Sequence, residues 1–173
     1  MMEELNSFIT SGKWFNILDL SRDGLHYRAK ILRHKCDYLE EETKDYYVCA
    51  LEALNRENTS MGNAFFDVFE GDKTSLSSIF VQDDYRGQGI GSGILGAVEY
   101  LSSMLGAKYI EGRFHARTDY ADVFYAKNGY TILGKAPAAK INKVLDKSQT
   151  YDSYVFGERA QVCDSKQQPD IEQ

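Results

Sequence analysis

The strongest periodicity in the chain lies between Ile90 and Leu105. Ile90, Ile94, Val98, Leu101 and Leu105 recur every three or four residues, the spacing of one helical face. Gly106 follows and supplies a helix stop. Before this helix the pattern is that of strands. Trp14 to Leu20 is apolar and Leu25 to Leu32 alternates loosely. Ser21-Arg22-Asp23-Gly24 between them is a turn signal, so the pair predicts a hairpin. Tyr46 to Leu54 predicts a strand, with a helix as the alternative. Ala64 to Phe69 and Thr74 to Gln82 predict two more, set off by the polar Asn55 to Gly62 and by Glu70-Gly71-Asp72-Lys73. Consecutive hairpins of this kind build an antiparallel sheet.

After the helix, Tyr109 to Ala116 predicts a strand, which makes a β-α-β unit around the periodic segment. Thr118 is a cap for a second helix over Asp119 to Lys127, with acid in its first turn and Asn128-Gly129 at its end. Tyr130 to Leu133 and Tyr151 to Phe156 predict the closing strands, joined by a loop carrying Lys135, Lys140, Lys143 and Lys147. Met1 to Gly12 predicts a short helix, and Cys36 to Lys44 a short helix or loop. Residues 1–160 form one expected domain, and Gln161 to Gln173 is polar enough to predict a disordered tail.

The turn that enters the long helix carries the candidate chemistry. Apolar Ile79, Phe80 and Val81 end a strand, and Arg86-Gly87-Gln88-Gly89-Ile90-Gly91-Ser92 leads into the helix. The first N–H groups of a helix have no internal acceptor, and the helix dipole adds partial positive charge there. Glycines let a bulky anion reach the backbone. The predicted guest is a phosphate or pyrophosphate. A P-loop is excluded, because no Gly-Lys-Ser/Thr follows at the required spacing. A dinucleotide fingerprint stays open: Gly91, Gly93 and Gly96 fit G-x-G-x-x-G, with Glu111 near the ribose-binding offset. Asp83 to Ile90 intervene, however, where that fingerprint should abut the strand.

Arg86, Gly89 and Gly91 also fit R-x-x-G-x-G, preceded by Val81 at the end of its strand. Further on stands Ala121-Asp122-Val123-Phe124-Tyr125-Ala126-Lys127-Asn128-Gly129-Tyr130. The first run resembles the acetyl-coenzyme A motif of the GNAT superfamily of N-acetyltransferases. The second is similar to that family's aromatic-Tyr-x-Lys-x-Gly-aromatic signature. The likeness covers roughly residues 46–159 and carries both motifs in order. It implies an α/β (α+β) fold: a mixed, mostly antiparallel sheet with splayed central strands, flanked by helices. It also implies acetyl transfer from acetyl-CoA to an amine.

On this resemblance the cofactor lies against Ile79, Phe80, Val81, Arg86, Gly87, Gln88, Gly89, Ile90, Gly91 and Ser92. The pantetheine amides pair with the free strand edge, and Arg86 reaches phosphate oxygens. Tyr125 stands at the family's general-acid position. The family often places a Glu four residues before Val81; here that residue is Ser77, which is no base by itself. Alternation puts Glu111, Arg113 and His115 on one strand face. His115, with an ordinary pKa of about 6.5, and a desolvated Glu111 are the base candidates. The competing reading is an exposed ionic stripe in which Arg113 neutralises Glu111. His26 and His34 read as surface residues.

Bulk properties narrow the partners. The 173 residues are 43% hydrophobic and 27% charged, with net charge -6 from 20 basic and 26 acidic residues. That balance disfavours unspecific nucleic-acid binding and mildly favours a cationic acceptor, a small molecule or a peptide amine. Cys36, Cys49 and Cys163 are scattered, with no metal-binding spacing. No run is long and apolar enough for a membrane span, so the expected setting is reducing and cytoplasmic. GNAT relatives often dimerise, which makes a homodimer an expected state. Two other functions are compatible with these residues: a catalytically silent acyl-CoA-binding module, and a nucleotide-dependent oxidoreductase.

Overall fold

The computed structural model describes residues 7, 9–17, 24–36, 44–114, 120–134 and 139–145. Eight strands form one sheet: β1 (Phe15–Asn16), β2 (His26–Cys36), β3 (Lys44–Leu54), β4 (Ser60–Phe69), β5 (Lys73–Val81), β6 (Tyr109–Phe114), β7 (Thr131–Leu133) and β8 (Ala139–Val144). Their spatial order is β1-β2-β3-β4-β5-β6-β8-β7. Every neighbouring pair is antiparallel except β5 and β6, which are parallel. Between those two the chain crosses over through α1 (Ile90–Met104). A short helix, α2 (Ala121–Lys127), follows β6. The mixed, mostly antiparallel sheet is thus as the sequence predicts.

The interruption that matters for the site is in β5. Phe66 pairs with Leu76 but Phe65 pairs with Ser78, so Ser77 is an extra residue, a β-bulge. The parallel ladder to β6 runs from Lys73–Tyr109 to Leu76–Gly112 and stops there. β5 continues to Val81 beside β4 and β6 to Phe114 beside β8, but the two no longer pair with each other, which is the splay. A bulge bends its strand and raises the local twist. Here it turns β5 away from β6 one residue after their last bridge.

α1 docks on β3, β4 and β5. The predicted stripe of Ile90, Ile94, Val98, Leu101 and Leu105 is buried throughout. Each such side chain contributes about 1.5–3 kcal/mol. Gly93 has its own packing reason: a Cβ there would lie 2.2 Å from the Tyr27 hydroxyl, so only glycine lets α1 settle this close to β2. The helix is buried beyond one stripe, because Leu95, Glu99 and Ser102 are covered as well. Glu99 takes two contacts from Lys143 Nζ, at 2.9 and 3.1 Å. The same ammonium donates to the Asn128 carbonyl at 2.9 Å and lies 5.3 Å from the Tyr130 ring centroid. One lysine on β8 therefore ties the middle of α1 to the end of α2.

Several expectations are corrected. The lysine-bearing loop contains a strand, β8, inserted between β6 and β7. Its pattern was hidden because Lys143, which reads as a solvated residue, faces the buried Glu99. The predicted closing strand at Tyr151–Phe156 and the tail from Gln161 lie outside the described residues. α2 begins at Ala121 rather than Asp119; its first-turn acid is Asp122, and Thr118 lies outside the described residues. In the N-terminal segment, residues 9–11 are helical and Gly12 follows with positive φ. No described helix is long and apolar enough to cross a membrane.

Replacing Lys143 by Met leaves a buried carboxylate without its cation, and should cost about 3–5 kcal/mol. Glu99→Leu with Lys143→Met should recover most of that loss. Urea unfolding of the wild type, the single and the double variant checks both, and equal stability of all three would contradict the pairing.

Candidate active site

A cleft of about 940 Å³ opens where β5 and β6 part. Its walls are Ile79–Val81 of β5, the turn and helix start from Tyr85 to Ser92, Phe114 of β6, and the α2 segment bearing Tyr120, Phe124, Tyr125 and Lys127. All ten residues predicted to hold a cofactor therefore border one cavity. The turn is built by a 3-10 segment, Asp83–Tyr85, and by two left-handed glycines, Gly87 at φ 75° and Gly89 at φ 84°. Gly89 is the N-cap and brings no side chain to occupy the helix end. The Gly93 amide makes the first helical bond, to the Gly89 carbonyl at 3.1 Å. The amides of Ile90, Gly91 and Ser92 consequently have no acceptor within the helix.

Gly91 keeps the floor open, since a Cβ there would lie 3.2 Å from Phe124 and 3.5 Å from Val81. The dinucleotide fingerprint loses its meaning in this geometry. Gly91, Gly93 and Gly96 all lie inside α1 rather than in the turn before it. Arg86 is tied back to its own turn, with Nε donating to the Val81 carbonyl at 3.2 Å and Nη2 2.8 Å from Asp83. Gln88 likewise donates to the Asp84 carbonyl at 2.9 Å.

A family model for an acetyltransferase (GNAT) domain matches residues 42–132, more than half of the chain. The chain belongs to the GNAT acetyltransferase family. The solved structures it resembles share the fold. An acetyltransferase from Bacillus cereus superposes with a TM-score of 0.53 at 22% identity, over 62% of this chain and 81% of that one. An acyl-CoA N-acyltransferase, so named provisionally, from Klebsiella pneumoniae gives 0.52 at 20% identity, over 57% and 73%. The PaiA N-acetyltransferase of Thermoplasma acidophilum, solved with coenzyme A, gives 0.50 at 20% identity, over 55% and 59%. No curated protein sequence matches the chain.

Within this GNAT domain, Tyr125 lies on α2 and is 7% exposed. Its ring is held by Phe114, Phe124 and Tyr130, with centroids 5.3, 5.1 and 5.7 Å away. It borders the cleft, and its hydroxyl has no hydrogen-bond partner among the described residues. Burial pushes its pKa up to about 12, so the phenol keeps its proton at neutral pH. Glu111 does not reach the cleft. It is engaged by Lys73 across the parallel ladder at 2.6 Å, so its partner is Lys73 rather than Arg113. His115 lies outside the described residues. Ser77 is the exposed bulge residue at the point of separation. His26 meets Asn58 Oδ1 at 3.0 Å, and His34 stacks on Tyr46.

Two features of the site were absent from the sequence reading. The bulge has no residue signature here, since Ser77 and Ser78 fit an ordinary strand. The Glu99–Lys143 contact joins residues far apart in the chain, and no local spacing announces it.

The buried phenols set an alkaline limit on stability. Tyr130 is also raised well above 10, first by burial and then by the nearby charge of Glu99. Both groups are raised in the folded state, so their contribution is complete below about pH 10 and is lost above it, for Tyr125 as pH climbs toward about 12. For Tyr125 alone the loss is about 3 kcal/mol over that window. Urea midpoints between pH 8 and 12 should fall steadily above 10, and less steeply in Tyr125→Phe. A flat profile would mean that these phenols are not buried.

Proposed function

We propose that this protein is an N-acetyltransferase that moves an acetyl group from acetyl-CoA to a primary amine by direct attack. The observation that carries this reading is the pairing of two unsatisfied backbone surfaces in one cleft: the free amides at the start of α1 and the β5 edge beyond Leu76. The residues present fit the group. A diphosphate needs several aligned N–H donors with no Cβ in the way, and Gly89 to Ser92 supply them. An amide-bearing pantetheine arm needs an unpaired strand edge, and Ile79 to Val81 offer one. Phe114 and Phe124 supply apolar walls. When bound, acetyl-CoA contributes an activated acyl thioester; the protein's part is to bind, orient and move protons.

Arg86 in its resting pairing keeps the turn folded, and a phosphate would compete with Asp83 for its guanidinium. Tyr125 is the general acid. Tyr125 is among the residues bordering the cleft, and burial keeps its phenol protonated. Lys127 borders the same cleft and adds positive charge for an anionic cofactor. The acceptor is a small molecule or peptide amine. A reducing cytoplasmic setting suits the free, buried thiol of Cys49.

One observation favours a second reading, a silent acyl-CoA-binding module. No carboxylate is among the described residues that line the cleft, Glu111 is held by Lys73, and Ser77 stands at the usual base position.

Calorimetry with CoA and acetyl-CoA, followed by acetyl transfer across an amine panel, separates the readings. Uptake with turnover supports the enzyme, uptake without turnover the silent module, and no uptake removes both. For the enzyme, Tyr125→Phe should lower kcat by about 10²–10⁴-fold with acetyl-CoA affinity nearly unchanged. An unaltered kcat would remove Tyr125 from the mechanism.

A further inference from the structure

The sheet is covered unevenly. Lys143 of β8 reaches both Glu99 on α1 and the Asn128 carbonyl at the end of α2, and Gly91 of α1 faces Phe124 of α2. Both helices therefore lie on one face, the face of Ile110, Ala64 and Leu51. On the other face Val48, Phe65 and Phe80 stay 36%, 51% and 49% exposed. Strand pairing places them in order. Val48 pairs with Asp67 and Asp67 with Ser75; Phe65 pairs with Ser78, and Asn63 with Phe80. Asp67, Phe65 and Phe80 thus follow one another along this face. The strip rises about 13 Å over four residues. It flanks the segment of β5 that leaves β6, and Phe80 also borders the cleft.

Two carboxylates on this face are paired. Glu52 accepts from Arg28 Nε at 2.6 Å, and Glu111 from Lys73 at 2.6 Å. Asp67 has no cation within 4 Å and no hydrogen bond among the described residues, although it is half-buried. Burial is the main influence on its carboxyl and raises its pKa, with His34 acting weakly in the other direction. A desolvated carboxylate gains most from a cation that brings its own hydrogen bonds. The exposed phenyl rings beside it gain from apolar surface and from a cation near their faces.

We propose that Asp67 with Phe65 and Phe80 is the acceptor platform, and that it takes a primary ammonium carried on an apolar or aromatic body. This rests on the transferase reading above and narrows its acceptor. Asp67 pairs with the ammonium at the foot of the strand separation. The nitrogen thus stays at the base of the gap between β5 and β6, and Phe65 and Phe80 carry the body along the strip away from it. The chemistry disfavours amino acids with a free carboxylate, which would sit against Asp67, and neutral alcohols of the same shape.

The test is calorimetry on the full chain, with and without saturating CoA, using phenethylamine and n-hexylamine as probes. Phenylalanine and 2-phenylethanol are the mismatched controls. Both amines should bind, and both controls should bind at least about tenfold more weakly. Asp67→Asn and Phe65→Ser, conservative or exposed positions, should weaken amine binding about tenfold while leaving the Kd for CoA unchanged. Titration without CoA probes the platform even if coenzyme A is not taken up, so its failure is distinct from failure of the transferase reading. The proposal is overturned if neither amine binds, or if Asp67→Asn binds them as tightly as wild type. It is also overturned if sedimentation shows a dimer that Phe65→Ser converts to monomer, because a second copy then occupies the face.

Discussion

Past Leu76 the backbone of β5 has a strand neighbour on one side only. Unpaired backbone groups away from water are costly, so such an edge persists only where solvent or a ligand can satisfy it. In this fold the edge is produced by one extra residue, Ser77, which takes β5 out of line with β6 immediately after their last bridge. The cleft depends on that separation. A continuous parallel ladder from Lys73 to Val81 would close the cavity and leave the glycine-rich turn as a simple helix cap.

The separation is useful because what surrounds it is rigid. α1 is buried on the sheet side and on the β8 side, and Gly93 lets it approach Tyr27 closely. Its N-terminus is thereby held at one place relative to the β5 edge. The Glu99–Lys143 pair reaches the carbonyl of Asn128, so α2 is tied to the same helix. Tyr125 inherits its position from this chain of contacts and from the aromatic rings of Phe114, Phe124 and Tyr130. The buried ion pair is weak evidence for stability as such, since its desolvation cost offsets much of its attraction. Its geometric consequence is clearer: it fixes two helices that share the cleft.

The uneven covering of the sheet divides its chemistry. The helix-bearing face holds the packed core and, at the N-terminus of α1, a surface suited to anions. The opposite face carries exposed aromatic rings and an unmatched carboxylate, a surface suited to cations with apolar bodies. The two are joined through β5, whose Phe80 borders both. A reaction between an anionic cofactor and a cationic acceptor would use one surface for each, with the strand gap between them. The net charge of -6 acts in the same direction, drawing cations from a distance without specifying where they bind.

Much of this was legible in residue order. Ile90 to Leu105 declared a helix by spacing alone, because burial of one face demands that period. Arg86 to Ser92 declared a glycine turn opening a helix, and that turn borders the cleft. The hairpins from Tyr46 to Val81 followed from alternation and turn residues. What local pattern could not supply was anything settled by a partner distant in sequence. Lys143 reads as a loop lysine until Glu99 is placed opposite it, and so β8 was missed. Glu111 reads as a neighbour of Arg113 until the parallel ladder brings up Lys73. Ser77 reads as an ordinary strand residue until two strands compete for register around it. Periodicity encodes which face of an element is buried; only the assembled sheet decides which side chains meet there and where its pairing fails.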